Sequence, residues 1–190
     1  MPNRDTPMGF RPAQGVGAKH FIVRFPVDSG NGTAVFVGDV MDLNAQGSVR
    51  PAAADAGVSA AGVCVGLYDS NGIPVGHPSS SVATKYLGAS TAGYADVALA
   101  LPGAIFIAQA QTGQTPASED IAETTDHVAG AGDTTTARSR HELNFSDLGT
   151  GLQFRIIGLV ADPDNSWAEH ADVYVMFNES AFGVSAAASV

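Results

Sequence analysis

Two alternating apolar segments near the C-terminus constrain the fold more than any other part of the chain. In LQFRIIGLV, residues 152–160, Leu152, Phe154 and Ile156 alternate with Gln153 and Arg155, and an apolar run follows. In DVYVMF, residues 172–177, Val173, Val175 and Phe177 alternate with Asp172, Tyr174 and Met176. A period of two is typical of a strand with one buried face. Between them, DPDNS at residues 162–166 is dense in turn formers,. We predict two central strands of an all-β domain, in which these residues are buried: Phe154, Ile156, Val173, Val175 and Phe177.

The rest of the chain adds short strands between turn signals,. We predict strands at residues 20–26, 34–41, 49–51, 62–68, 82–87, 94–101, 105–111 and 137–143. One short helix is predicted over residues 118–127, because Ser118 can cap it and Glu119 and Asp120 favour its positive N-terminal end. This pattern predicts an all-β fold, a β-sandwich or barrel with jelly-roll-like or Greek-key connections.

The N-terminus differs in composition from the rest of the chain. Three prolines and three glycines interrupt residues 1–18. We therefore predict an extended N-terminal arm over residues 1–18, a single β-rich domain over 19–183 and a flexible C-terminal tail over 184–190. Residues 1–24 hold four basic residues against Asp5 alone, whereas the whole chain has a net charge of −10. A basic arm on an acidic body favours docking to an acidic neighbour.

Overall composition restricts the kinds of partner. A net charge of −10 opposes binding to nucleic acid, whose phosphates need a basic surface,. No apolar run approaches the roughly 18 residues of a membrane span, and the N-terminus lacks the apolar core of a signal peptide. Charged residues make up only 15% of the chain. This fraction indicates either a surface partly covered by a partner or a monomer with few charges.

No motif assembles a recognisable catalytic or metal site. The five histidines lack zinc-ligand spacing, and Cys64 is the only cysteine,. The loop carrying Asp162, Asp164, Ser166 and Glu169 departs from a calcium-binding EF-hand, because Trp167 stands where that loop needs glycine. We expect solvated carboxylates there, and no enzyme activity, metal or cofactor. Trp167 either stands exposed to bind a sugar or a partner protein, or folds back over the end of the sheet.

Three pieces in a fixed order suggest a family. They are GFRPAQG at residues 9–15, a block of GDV at 38–40 with GVCVGL at 62–67 and FIAQ at 106–109, and FRIIGLVADPDNSWAEHADVYVMFNES at 154–180. The set resembles the cement, or capsid-decoration, proteins of tailed bacteriophages, and it spans most of residues 9–182. Ser180 departs from the pattern, which has histidine after Asn178 and Glu179.

The resemblance implies a structural virion protein. Such proteins bind the outer surface of the capsid where capsomers meet, often as trimers, and stabilise the expanded shell. It implies the major capsid protein and the chain itself as partners, and a location on the capsid surface after synthesis in the bacterial host cytoplasm. The alternative is another phage structural or carbohydrate-binding β-module of a tail or fibre. The residues predicted to contact partners are Arg4, Met8, Phe10, Arg11, Lys19 and Trp167.

Overall fold

The computed structural model describes residues 3–13, 20–54 and 60–183. Regular structure in these ranges is almost entirely β, in antiparallel strands. The strands are β1 (Arg11–Pro12), β2 (Ile22–Val27), β3 (Val40–Leu43), β4 (Val49–Pro51), β5 (Ala60–Asp69), β6 (Gly93–Leu99), β7 (Ile105–Gln109), β8 (Thr124–Val128), β9 (Glu142–Gly149), β10 (Phe154–Leu159) and β11 (Asp172–Phe177). The predicted all-β fold is confirmed.

The strands form two sheets. One has six strands in the order β1-β7-β11-β10-β8-β9, and the other has five in the order β2-β6-β5-β3-β4. In the larger sheet β8, β10 and β11 lie side by side, and the earlier strand β7 lies beside β11. Strand β9 pairs with the other side of β8, so β8 and β10 are neighbours in the sheet but not in the chain. The two antiparallel sheets form the predicted β-sandwich.

The main hydrophobic core lies between the two sheets. Phe106, Phe154 and Val175 of the six-stranded sheet belong to the same buried cluster as Val40 and Val63 of the five-stranded sheet. Four of the five predicted core residues, Phe154, Ile156, Val173 and Val175, are fully buried. The fifth, Phe177, is half-buried and packs against the same cluster.

The five-stranded sheet is covered on its other face as well. A second cluster joins Met41 and Cys64 of the sheet to Val35 and Leu87 of the connecting loops. Because β5 is buried on both faces, its sequence reads as a continuous apolar run rather than an alternation. Val35 and Leu87 form an isolated β-bridge. Of the strand predicted at residues 34–41, the structure forms this bridge, a second isolated bridge from Val37 to Arg138, and the start of β3 at Val40. Of the strand predicted at residues 82–87, it forms only the bridge at Leu87.

The helix predicted over residues 118–127 is wrong. Only a 3-10 turn, Ser118–Asp120, forms there, and Thr124–Val128 is strand β8, which pairs with β9 and β10. Ala122 has a φ of 77°, which no right-handed helix accommodates,. Thr124 and Thr125 are both buried, and β-branched residues favour a buried strand position,. The strand predicted at residues 137–143 begins later, at Glu142.

The prediction that the N-terminal arm stands apart from the domain is wrong for residues 3–13. Strand β1 pairs with β7, with Arg11 opposite Ile107, and Phe10 is only 1% exposed. The Phe10 amide donates to the carbonyl of Gly38 at 2.8 Å. Gly9 permits this approach, because its φ is 69° and a Cβ would lie 2.5 Å from the same oxygen,. Residues 14–19 and the tail at 184–190 lie outside the described residues.

Candidate functional site

The edge of the five-stranded sheet presents an apolar surface to solvent. Phe21 is 62% exposed, Ile22 58% and Val23 40%. Strand β2 is the edge of its sheet and pairs only with β6 among the strands described. Phe182, also exposed, stacks on Phe25 of the same strand, with ring centroids 6.2 Å apart. We call Phe21, Ile22 and Val23 the β2 edge. An edge of this kind is a template for pairing with another chain.

The single positive charge of strand β2 is neutralised within the domain. The Arg24 guanidinium donates to both carboxylate oxygens of Asp96, at 2.7 and 3.0 Å. It also lies 3.6 Å from the centroid of the Tyr68 ring. Hydrogen bonding from Arg24 lowers the pKa of Asp96 and outweighs the opposing effect of burial. The β2 edge is therefore an apolar surface rather than a basic one.

The N-terminal segment, residues 3–13, packs on the loop between β10 and β11. The side-chain amide of Asn3 donates to the carbonyls of Ser166 at 2.9 Å and Glu169 at 3.0 Å, and the Ser166 amide donates back to Asn3 Oδ1. The side chain of Gln109, in β7, donates to the carbonyl of Arg4 and accepts from the amide of Thr6. The segment is thus held by backbone-directed hydrogen bonds.

The residues predicted to contact partners do not form one surface. Arg4 and Met8 are exposed, and Met8 is 44% exposed. Arg11 donates to Asp172 at 2.6 Å, so its charge is compensated inside the chain. Lys19 lies outside the described residues. The basic arm inferred from composition is therefore partly neutralised by the domain on which it lies.

Phe10 is not a surface anchor. Its ring stacks on Phe154 with centroids 4.6 Å apart and meets His127 edge-on at 6.3 Å. The assignment of Phe10 as a partner contact is therefore wrong, because its apolar surface is already buried in its own core. Trp167 is partly buried and packs against the main core. Of the two alternatives for Trp167, the arrangement agrees with the side chain folding back on the sheet.

A cleft of about 1000 Å³ opens between residues 28–36, strands β3 and β4, and residues 129–134. Asp39 and His141 lie at its base, and both side chains are almost fully buried. Asp39 Oδ2 accepts from the amide of Phe36 at 2.8 Å, and Asp39 Oδ1 lies 3.5 Å from His141 Nε2. The amide of Val40 donates to His141 Nδ1 at 3.2 Å. That bond requires a free lone pair on Nδ1, so the neutral ring carries its proton on Nε2.

Burial controls the ionisation of this cluster. It raises the pKa of Asp39 to about 7, against the opposing hydrogen bonds from Ser139 and Phe36. Burial, together with a smaller effect of the neighbouring His127, lowers the pKa of His141 to about 3. The two imidazole rings stack with centroids 5.0 Å apart. Burial also lowers the pKa of His127, whose Nδ1 lies 2.6 Å from Gln153 Oε1. Both histidines are therefore neutral at pH 7.

The cluster contains serine, histidine and aspartate but lacks the order of a catalytic triad. In a triad one imidazole nitrogen faces the serine and the other faces the carboxylate. Here Val40 occupies Nδ1 of His141 and Asp39 faces Nε2, so neither nitrogen is left for Ser139. The Ser139 hydroxyl oxygen accepts instead from the backbone amide of His141 at 3.0 Å. The arrangement suits a buried polar cluster that fixes the floor of the cleft.

Sequence reasoning did not find this cluster, nor a second group of titratable side chains. Asp5, Glu142 and His170 each place one ligand-type atom within 4.8 Å of the other two. The loop set considered from sequence, Asp162, Asp164, Ser166 and Glu169, is not the set that converges in the described residues. Asp162 instead accepts from the backbone amide of Asp164 at 3.0 Å, as in a capped turn,.

Comparison with known proteins adds no relative. No family model matches the chain, and searches of curated proteins and of solved structures found no match either. Among the described residues, no helix has the length and apolar character needed to cross a membrane. The likeness to capsid-decoration proteins therefore rests on the three sequence pieces alone.

Proposed function

We propose that the protein is a structural virion protein of a tailed bacteriophage, without enzymatic activity. It binds the outer surface of the capsid at capsomer junctions and stabilises the expanded shell. The sequence resemblance supplies the capsid as partner. The observation that carries a binding role is the β2 edge, where Phe21, Ile22 and Val23 are exposed at the start of an edge strand that pairs only with β6 among the described strands.

The β2 edge suits a protein that works in an assembly. Contiguous exposed apolar residues commonly mark interaction sites, and an edge strand adds main-chain groups that another chain can pair with. We propose a homotrimer, in which the β2 edge of one protomer contacts a different surface of the next. A ring of that kind closes without self-pairing, whereas β2 pairing with its own copy would give a two-fold dimer.

The structure changes the expected role of charge in binding. Arg11 and Arg24 are already paired with Asp172 and Asp96. They therefore offer less to an acidic shell than the composition of the N-terminus suggests. Apolar burial is not screened by salt, whereas exposed ion pairs are screened over about 8–10 Å. We therefore expect binding to capsids to persist at high salt.

The test mixes the purified protein with bare expanded capsids at low and high salt and counts the bound copies. Sedimentation of the free protein gives its oligomeric state. We expect a trimer, with similar numbers of bound copies at both salts. A clean monomer that binds capsids at neither salt would overturn the proposal. A stable dimer with no trimer would retain the binding role but reject the proposed ring.

A matched pair of variants tests the surface itself. Ile22→Lys places a charge on the β2 edge, and Ile121→Lys places one at a similarly exposed apolar residue, 46% exposed, away from that strand. Both variants should fold, because both side chains face solvent. Ile22→Lys should lose assembly or capsid binding while Ile121→Lys retains them. Equal behaviour of the two variants would contradict a role for the β2 edge.

A further inference from the structure

Three side chains from distant parts of the sequence meet beside the N-terminal segment. Asp5 belongs to that segment, Glu142 begins β9, and His170 lies near the end of the loop between β10 and β11. One oxygen or nitrogen atom of each lies within 4.8 Å of the others, and His170 Nδ1 is 3.9 Å from Asp5 Oδ1. The group therefore combines two carboxylates with one imidazole.

Two atoms of this group are shielded from water and have no hydrogen-bond partner. They are Glu142 Oε1 and His170 Nδ1. The His170 side chain as a whole is only 13% exposed. Buried polar atoms in folded proteins are nearly always satisfied, so two in the same group require a common explanation. A cation between them would accept a lone pair from each.

The second nitrogen of the His170 ring faces another carboxylate. His170 Nε2 lies 3.6 Å from Glu169 Oε1, and that oxygen accepts from the backbone amide of Gly113 at 2.6 Å. A carboxylate next to one imidazole nitrogen favours the proton on that nitrogen. The other ring nitrogen then keeps its lone pair and is free to bind a metal ion. In His170 the free nitrogen is Nδ1, which lies on the side of Asp5 and Glu142.

The charges around Glu142 fit the same explanation. Burial raises the pKa of Glu142, and the nearby charge of Asp5 raises it further, against the effects of His170 and Arg140. Two carboxylates held this close repel each other unless a positive charge lies between them. A divalent cation supplies that charge and favours both ionised forms.

We propose that Asp5, Glu142 and His170 bind a divalent metal ion, with Zn²⁺ as the best match. One imidazole nitrogen and two carboxylate oxygens form a three-ligand set at bond lengths of about 2.0–2.2 Å, with a fourth position for water. The ligand atoms must draw together slightly to reach those lengths. Asp5 is exposed and lies in a short segment, so its side chain is free to adjust. The ion would fasten the N-terminal segment to β9 and to the loop between β10 and β11.

The test uses the full chain stripped of metal with a chelator. Thermal unfolding is followed without metal and with Zn²⁺, and equilibrium dialysis gives the number of ions bound. We expect one ion per chain and a rise in Tm of about 5–10 °C when free Zn²⁺ is a hundredfold above its Kd. Co²⁺ should bind to the wild type with visible absorption bands that are absent in His170→Gln. No rise in Tm, or an equal rise with Mg²⁺, would overturn the site.

Variants identify the ligands. His170→Gln and Glu142→Gln should lose both the bound ion and the rise in Tm. Asp164→Asn, which removes a carboxylate from the same loop but outside the group, should keep both. If His170→Gln does not fold, Asp5→Asn at an exposed position provides the same comparison. If the single variants Asp5→Asn and Glu142→Gln both bind metal as the wild type does, the proposal is contradicted. None of these readouts depends on capsid binding.

Discussion

The ring of Phe10 stacks on the ring of Phe154, with centroids 4.6 Å apart and an interplanar angle of 29°. Phe10 lies in the N-terminal segment just before β1, and Phe154 is the first residue of β10. Both rings are almost completely buried. The contact joins a segment that reads as an independent arm to a strand at the centre of the six-stranded sheet. The N-terminal segment therefore belongs to the folding unit.

Phe10→Ala should destabilise the domain by about 3–5 kcal/mol, because it removes a buried ring and leaves a cavity between Phe154 and His127,. Urea unfolding of the purified protein measures the change. Met8→Ala, two residues earlier and exposed, is the matched control and should change stability by no more than about 0.5 kcal/mol,. Similar stabilities for the two variants would place the N-terminal segment outside the folding unit.

The stacked pair also predicts a coupling between its members. Phe154→Ala alone should cost about 3–5 kcal/mol, whereas in a Phe10→Ala background it should cost about 0.5–1.5 kcal/mol less. The difference arises because the stacking interaction is already absent in that background. A double-mutant cycle in urea measures it. Ile157→Ala, at an exposed position of the same strand, supplies the uncoupled control and should give additive effects with Phe10→Ala.

The sequence predicted correctly those strands in which the local pattern of apolar residues indicates which side chains are buried. Strands β10 and β11 alternate apolar and polar residues and were predicted with their core residues. Strand β5 was also found, because burial on both faces produces a continuous apolar run. The helix prediction over residues 118–127 was wrong. Ser118 and the acidic residues after it favour the start of a helix, but the pairing of Thr124 and Thr125 with neighbouring strands decides the structure,.

The functional groups were harder to predict, because contacts between distant residues create them. Phe10 sits among prolines and glycines with no periodic pattern, and only its contact with Phe154 shows that it is buried. Asp39 and His141 come from separate strands and loops, as do the ligands proposed for the metal ion. No spacing rule connects such residues. The sequence also does not predict that the β2 edge is exposed, because its run of apolar residues is the same as that of a buried strand.

Gly62→Ala should destabilise the five-stranded sheet by at least about 2 kcal/mol. Gly62 has a φ of 153°, and a Cβ there would lie 2.1 Å from the carbonyl oxygen of Ala98 on the neighbouring strand,. Either the pairing of β5 with β6 or the local backbone must shift. Gly30→Ala is the control, because its Cβ would meet no atom within 4 Å. Urea unfolding compares the two variants, and equal stabilities would show that β5 and β6 approach less closely at Gly62.

The buried cluster at Asp39 and His141 makes stability depend on pH. The unfolded chain protonates histidine near pH 6.5, whereas burial lowers the pKa of His127 and lowers that of His141 to about 3,. Below pH 6.5 the unfolded state therefore binds more protons at both histidines than the folded state does, and this contribution to stability falls as pH falls. Asp39 acts in the opposite direction. Its pKa rises from 3.8 to about 7 on folding, so the folded state holds one extra proton in this window.

Between pH 5 and 6 the low pKa of His141 makes the free energy of unfolding rise by about 1.4 kcal/mol per pH unit, and the raised pKa of Asp39 makes it fall by about the same amount,. In His141→Asn the slope of the free energy of unfolding against pH should be lower by about that amount, because the histidine contribution is gone, while the Asn side-chain oxygen still accepts from the Val40 amide. In Asp39→Asn the slope should be higher by about the same amount, because the opposing carboxyl is gone. The raised pKa of Glu142 affects all three proteins alike and cancels in the comparison. Urea unfolding across a pH series measures the slopes. An unchanged slope in His141→Asn would mean that His141 is already protonated in the folded protein.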